Sequence, residues 1–226
     1  QVHFAMAVHD IRYYLNGILF VAEGKVLTLV ATDGHRLALA QATLDVDIPK
    51  QDVILPRKTV LELQRLLKDE DTPIEMRFAG NQAKFAFSGM EFVTKLVEGK
   101  FPDYNRVIPK TLKNSVTLGR APLLSSLQRA ALLTSEKFKA VRVNGEPGTL
   151  RLTASNAEQE AAKEELEVDY NGDAIEIGFN VTYLIDALAN SNAEMVKLEL
   201  QDGSSSALFS LPDQPGFKYV VMPMRI

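Results

Sequence analysis

Cysteine is absent from the 226 residues. That excludes disulfides, thiolate nucleophiles and cysteine-ligated zinc or iron–sulfur sites, and it fits a reducing, intracellular setting. Histidine occurs three times, at His3, His9 and His35, without a metal-ligand spacing such as H-E-x-x-H. There is no G-x-S-x-G elbow and no glycine-rich phosphate loop. No apolar run is long enough to span a bilayer, and no basic start precedes a short apolar core as in a signal peptide. The chain starts on Gln1 and enters an amphipathic stretch at once, which points to a missing upstream segment.

What is present is the composition of an ordinary globular chain, 46% hydrophobic and 24% charged, with a formal charge of -4. That length suits one large domain or two of about 110 residues. A net acidic chain argues against binding nucleic acid, because phosphate contacts need Lys and Arg. The distribution of charge matters more than its sum. Arg57, Lys58, Arg65 and Lys68 share a stretch with one acid, Glu62, and Arg120, Arg129, Lys137, Lys139 and Arg142 share another with Glu136. The acids collect in "DEDTPIE" and "EQEAAKEELEVD".

The chain also repeats itself, a feature to be sought before any other. "FAMAVHDIRYYLNGILF" lines up with "LGRAPLLSSLQRAALLT", "VLTLVATDGHRLALA" with "TLRLTASNAEQEAAK", "VILPRKTVLELQRLL" with "EIGFNVTYLIDALAN", "IEMRFAGNQAKFAFS" with "VKLELQDGSSSALFS", and "FVTKLVEGKFP" with "YVVMPMRI". In the first segment Phe4, Val8, Ile11, Leu15 and Ile18 recur at helical spacing, which predicts an amphipathic helix. A second helix is expected from near Arg57, burying Val60, Leu63 and Leu67. A third follows Asn180 as N-cap, burying Val181, Leu184 and Leu188. Strands are expected between them, turned at Asp33-Gly34, Gly80-Asn81 and Asp202-Gly203. The linker falls in "GKFPDYNRVIPKTLKNS". The expected architecture is two similar α+β domains in tandem, each an antiparallel sheet packed on two helices.

Three places invite a function. In "ATDGHRLALA", Asp33 and His35 could form an acid–base pair of a small hydrolase, but no nucleophile or metal shell accompanies them. A tight turn explains the same residues, with Asp at its start and Gly for a positive φ. The apolar end "YVVMPMRI" reads either as a last strand with a sticky tip or as one wall of a binding groove lined by conformable methionines. Leu132, followed by Leu133, shares a helical face with Ser125, Gln128 and Arg129 and is left stranded unless another subunit covers it; a single exposed leucine is also common.

Together "IRYYLNG", "ATDGHRLA", "PRK", "KLVEGKFPDYNRVIP", "GFNVTYL" and "YVVMPMRI" resemble the bacterial DNA polymerase III β subunit, the sliding clamp family, in order over the whole chain. The resemblance implies clamp-fold domains, the family's second at residues 1–103 and its third at 104–226, with the first domain absent. It implies a cytoplasmic bacterial protein without catalysis, cofactor or metal. In the full-length family, two subunits close head-to-tail into a ring around duplex DNA, which tethers polymerases topologically. A net acidic protein can then still hold DNA loosely through helices with cations facing the phosphates.

By the same resemblance, the DNA-facing residues are Arg12, Tyr13, Tyr14, Arg57 and Lys58. The family's partner groove, between its second and third domains, takes short motifs of a glutamine followed by leucines and an aromatic, carried by polymerases, clamp loader and repair proteins. Its positions here are Arg12, Tyr14, Leu15, Thr32, Gly34, His35, Arg36 and Leu37; Pro102, Arg106 and Val107; and Ser206, Val220, Met222, Pro223, Met224 and Arg225. Val8 stands where the family often has a histidine. Leu132, Leu133, Glu158, Glu160 and Glu164 match the surface that closes the ring onto the missing domain, so this chain is expected to be monomeric in dilute solution. A protein-binding scaffold with no DNA role is the further alternative.

Overall fold

The computed structural model describes residues 1–68 and 71–226, and residues 69–70 of the acidic run "DEDTPIE" lie outside the described residues. The chain divides into two compact units, one of residues 2–104 and one of residues 105–226 joined by Gln1.

In the first unit, β1 (Gly17–Thr32) and β2 (Arg36–Pro56) form a long antiparallel pair, in register from Gly17 opposite Pro56 to Thr32 opposite Leu37. The register shifts around Gly24, so the strands bend there. Helix α1 (Arg57–Leu66) follows β2 directly. A second sheet comprises β3 (Glu75–Ala79), β4 (Gln82–Phe87) and β5 (Met90–Lys95), with Gly80 and Asn81 as the expected two-residue turn between Ala79 and Gln82. Alternation sets the core: Ala83, Phe85 and Phe87 of β4 pack with Phe20, Leu55 and Leu63. Each such large apolar side chain contributes about 1.5–3 kcal/mol on full burial.

The expected helix over Phe4–Phe20 does not form. Two 3-10 turns, His3–Ala5 and Tyr13–Leu15, flank an irregular loop, and Gly17 already begins β1. Local side chains win the competition for backbone groups. Asp10 Oδ1 accepts the Arg12 N–H at 2.8 Å, and the Asn16 amide both accepts from the Asp10 N–H and donates to the Asp10 carbonyl, each at 3.0 Å. Of the apolar stripe, Leu15 and Ile18 are buried, whereas Ile11 is 96% and Val8 56% exposed. This unit therefore carries one α-helix among its described residues, not two, and its first segment is not the counterpart of Leu118–Thr134.

In the second unit, β6 (Asn114–Gly119) leads into α2 (Arg120–Ala131). Strands β7 (Ala140–Glu146), β8 (Thr149–Ser155) and β9 (Ala161–Glu167) follow, then β10 (Ile175–Asn180) and α3 (Val181–Ala189). The unit ends with β11 (Met195–Leu200), β12 (Ala207–Leu211) and β13 (Gln214–Val221). One sheet has the order β10-β7-β8-β9, and β13-β12-β11-β6 run side by side in another, all antiparallel. Asn180 caps α3 as expected, its side chain accepting the Thr182 N–H at 2.9 Å, and Val181, Leu184 and Leu188 are buried. Arg120 links the two helices by donating to the Ala193 carbonyl at 2.6 Å and the Leu188 carbonyl at 3.0 Å, which places a cation at the negative end of α3. No helix among the described residues is long and apolar enough to cross a membrane.

Candidate functional site

The turn between β1 and β2 is closed by its own side chains. Thr32 Oγ1 accepts the Gly34 N–H at 3.1 Å and donates to the Arg36 carbonyl at 2.6 Å. Asp33 Oδ1 accepts the backbone N–H groups of His35 at 2.9 Å and Arg36 at 3.1 Å, while Oδ2 takes the Arg36 Nε–H at 3.1 Å. The Asp33 carboxylate is thus committed to building the turn, as the turn reading of these residues requires and an acid–base pair does not. Gly34 sits at φ 91°, a conformation open to glycine at little cost.

Two arginines face this turn from different directions. Arg36 donates through Nη2 to the Phe4 carbonyl at 2.9 Å, and its guanidinium lies 5.8 Å from the centre of the Phe4 ring. Arg12 lies on Gly34 so closely that a Cβ there would come within 3.0 Å of its Nη2. Arg12 is held in turn by Asp10, with Nε–H donating at 2.9 Å and Nη2–H at 2.8 Å. This bidentate pair, reinforced by the Arg12 backbone N–H, brings the Asp10 carboxyl down to about 2. Phe4, Asp10 and Asn16 were not singled out as site residues. The signal was available for Asp10 and Asn16, since both residue types compete for backbone groups in loops.

The other residues singled out in the first unit are placed variously. Tyr13 is exposed, Tyr14 half-buried, and both pack on Gly99, whose hypothetical Cβ would lie 3.3 Å from that of Tyr14. Leu15, Thr32 and Leu37 are buried, so they back the surface and do not form it. His35 is exposed, and so is Pro102. Arg57 and Lys58 open α1 after Pro56, with no acid in the first turn and no side-chain cap.

In the second unit, Arg106 and Val107 are exposed in the segment ahead of β6. The end of the chain is docked along β10: the Met224 N–H donates to the Gly178 carbonyl at 2.7 Å, forming an isolated bridge. Met222 is 49% exposed, Arg225 is exposed, Pro223, Met224 and Ser206 are half-buried, and Val220 is fully buried. Gly178 is a residue the sequence reading missed, because its role depends on a segment far along the chain.

Beyond the C-terminus of α2, Leu132 is 81% exposed and Leu133 half-buried. Glu158 and Glu160 are exposed, and the Asn156 side chain organises their loop by accepting both of their N–H groups at 3.0 Å. Glu164, on edge strand β9, accepts from Arg129 at 2.7 and 3.0 Å. That pairing holds its carboxyl below the usual range. Arg129 sits in the last turn of α2, three residues before the stranded leucine, so part of the acidic run already has a cation within the chain. Among the described residues no group of three or more His, Cys, Asp or Glu could hold a metal ion.

Two family models match the chain end to end: the DNA polymerase III beta subunit central domain over residues 1–103 and its C-terminal domain over residues 105–225. Curated relatives include beta sliding clamps of Vibrio cholerae, 43% identical over 226 residues, and of Pseudomonas aeruginosa, 46% identical over 229 residues. In both cases all of this chain is covered and 62% of the relative's length, so the chain spans about three-fifths of the relatives it matches. Among solved structures, the DNA polymerase III subunit beta from Pseudomonas aeruginosa superposes with a TM-score of 0.95 at 43% identity, covering 99% of this chain and 62% of that one. A further structure of the Pseudomonas aeruginosa sliding clamp, bound to griselimycin, matches with the same TM-score and identity, and with 61% of that chain covered.

Proposed function

Because the chain belongs to the DNA polymerase III beta subunit family, we propose that it supplies the second and third domains, residues 1–103 and 104–226, of a non-catalytic sliding clamp of the bacterial cytoplasm. In the full-length protein, two subunits close head-to-tail around duplex DNA and tether the replicative polymerase to it. The observation that carries this reading is the match of the two family models in order along the chain, at a TM-score of 0.95 to a solved clamp.

Arg12, Tyr13, Tyr14, Arg57 and Lys58 face DNA in this proposal. Arg57 and Lys58 lend support, because two cations in the first turn of α1 work against its macrodipole. A phosphate-facing role gives that arrangement a purpose. Partner motifs engage Gly34, His35 and Arg36 of the turn and Tyr14, with Arg12 at the rim, over the buried backing of Leu15, Thr32 and Leu37. They also engage Pro102, Arg106, Val107, Ser206 and the segment from Met222 to Arg225. The docking of that segment on Gly178 supports the assignment, since a held terminus presents Met222 without the entropy cost of ordering it. Leu132, Leu133, Glu158, Glu160 and Glu164 belong to the ring-closing surface, and this chain alone is monomeric in dilute solution.

The test is fluorescence anisotropy with a glutamine–leucine–phenylalanine peptide. Met222→Glu places a charge on a half-exposed apolar contact without disturbing the core and should abolish measurable binding. Unchanged affinity refutes the partner site. For the DNA role, full-length protein loaded on circular duplex should stay until the circle is cut. Immediate escape from an intact circle leaves the scaffold alternative.

A further inference from the structure

The strands β6, β11, β12 and β13 present two chemically different faces. Cross-strand neighbours Val116, Leu198, Phe209 and Tyr219 share the buried one. The opposite face carries the row Thr117, Lys197, Ser210, Lys218 and beside it the row Ser115, Glu199, Leu208, Val220. A trough of about 800 Å3 runs over this second face. Its apolar floor is the exposed Pro215 over the nearly buried Leu208 and Leu211, its side Ile108 and Pro109, and its cations Lys110 and Lys218. Its one acid, Glu199, is taken by Lys197 at 3.2 Å. Neither Lys110 nor Lys218 makes an ion pair with a described residue.

We propose that this trough extends the partner-binding surface of the same unit and takes the residues flanking a clamp-binding motif: an extended peptide segment with an apolar side chain and one or more carboxylates. The proposal rests on the reading above, in which Val107, Ser206 and Met222 meet the motif. The trough continues from them in two ways. Val107 is followed directly by Ile108, and the Leu208–Val220 pair on this face lies two positions along the strands from Ser206 and Met222. A peptide suits it better than nucleic acid because its floor is apolar, whereas duplex contacts need little beyond cations facing phosphates. The carboxylates follow from the two unpaired lysines. In a chain of formal charge -4, that attraction is local and selects where an acidic flank lies.

The experiment compares three labelled peptides on the whole chain: the bare glutamine–leucine–phenylalanine motif, the motif with a leucine–glutamate–glutamate extension on its N-terminal side, and the motif extended on its C-terminal side. One extended peptide should bind roughly three- to tenfold tighter than the bare motif, the scale of two exposed ion pairs. The gain should shrink with salt and vanish in Lys110→Glu/Lys218→Glu, which leaves the bare motif's affinity unchanged. Both lysines are exposed, so the variant should fold. Equal affinity for all three peptides, or a gain that survives charge reversal, overturns the trough alone. A bare motif that fails to bind overturns the parent reading and the trough with it. Weakened duplex binding in the double variant, with the peptide gain intact, assigns the lysines to nucleic acid and overturns the peptide.

Discussion

Gly178→Ala tests the proposed contribution of the C-terminal segment to partner binding. Gly178 lies in β10 opposite Arg142, at a backbone conformation that any residue adopts, so the strand itself tolerates alanine. The added methyl carbon would lie 2.5 Å from the Met224 carbonyl oxygen and collide with the Ile226 side chain. A side chain can rotate away, but a backbone carbonyl cannot without moving its segment. The segment must therefore lift, losing the Met224 N–H bond to Gly178. That bond is worth about 1 kcal/mol net, and the half-buried Pro223 and Met224 add a similar amount. Because the loss is confined to a terminus, the melting temperature should fall by no more than about 4 °C. Hydrogen exchange at the Met224 amide should rise to solvent-exposed rates while Ile177 and Phe179 stay protected. Affinity for the motif peptide should drop roughly tenfold, about 1.4 kcal/mol, as Met222–Arg225 become mobile. Fast exchange at Met224 with unchanged affinity would refute the role of the docked segment; unchanged protection at Met224 would refute the steric argument.

Further expectations concern single contacts. Asp10, with its carboxyl brought down to about 2 by the Arg12 guanidinium and backbone N–H, stabilises its loop above the ordinary carboxylate range, and that contribution disappears as pH falls through about 2. A carboxyl-carbon NMR titration reads this directly, and a midpoint near 4 would mean the clasp is not made. Asn180→Ala removes the N-cap of α3 and should cost about 1 kcal/mol, a drop of roughly 2–4 °C in thermal unfolding. Arg120→Met strands the Leu188 and Ala193 carbonyls and should cost about 1.5–3 kcal/mol by denaturant titration. Leu132→Asp, at an 81% exposed position, should leave this chain's stability within about 0.5 kcal/mol yet weaken dimerisation of the full-length protein in sedimentation.

The fold was legible wherever periodicity and tertiary burial agree. Alternation marks β4, β8 and β11, and Asn180 marks the start of α3, because each element buries what its pattern says it should. The segment from Phe4 to Phe20 failed for a definite reason. Its apolar residues fit a helical stripe, but Asp10 and Asn16 satisfy the backbone locally, Gly17 opens a strand, and Ile18 pairs with Leu55 in place of continuing a helix. A stripe records which residues are apolar, not which of them find a core, and Ile11 finds none.

The site was legible in part for a related reason. The Asp33–Arg36 turn could be read because Asp and Gly act within a few residues of their own backbone. The contacts of its two arginines could not, since each is set by a residue whose relevance appears only in three dimensions. Arg36 is set by the carbonyl of Phe4, and Arg12 by Asp10 and by the bare Cα of Gly34. The same logic separates the two explanations of Gly34. A positive φ alone would be met by any β1–β2 turn, and the corresponding "TASNAEQEA" turn manages without glycine or arginine. Gly34 thus serves its turn in two ways, through its φ of 91° and through the close approach of Arg12 that the missing Cβ allows.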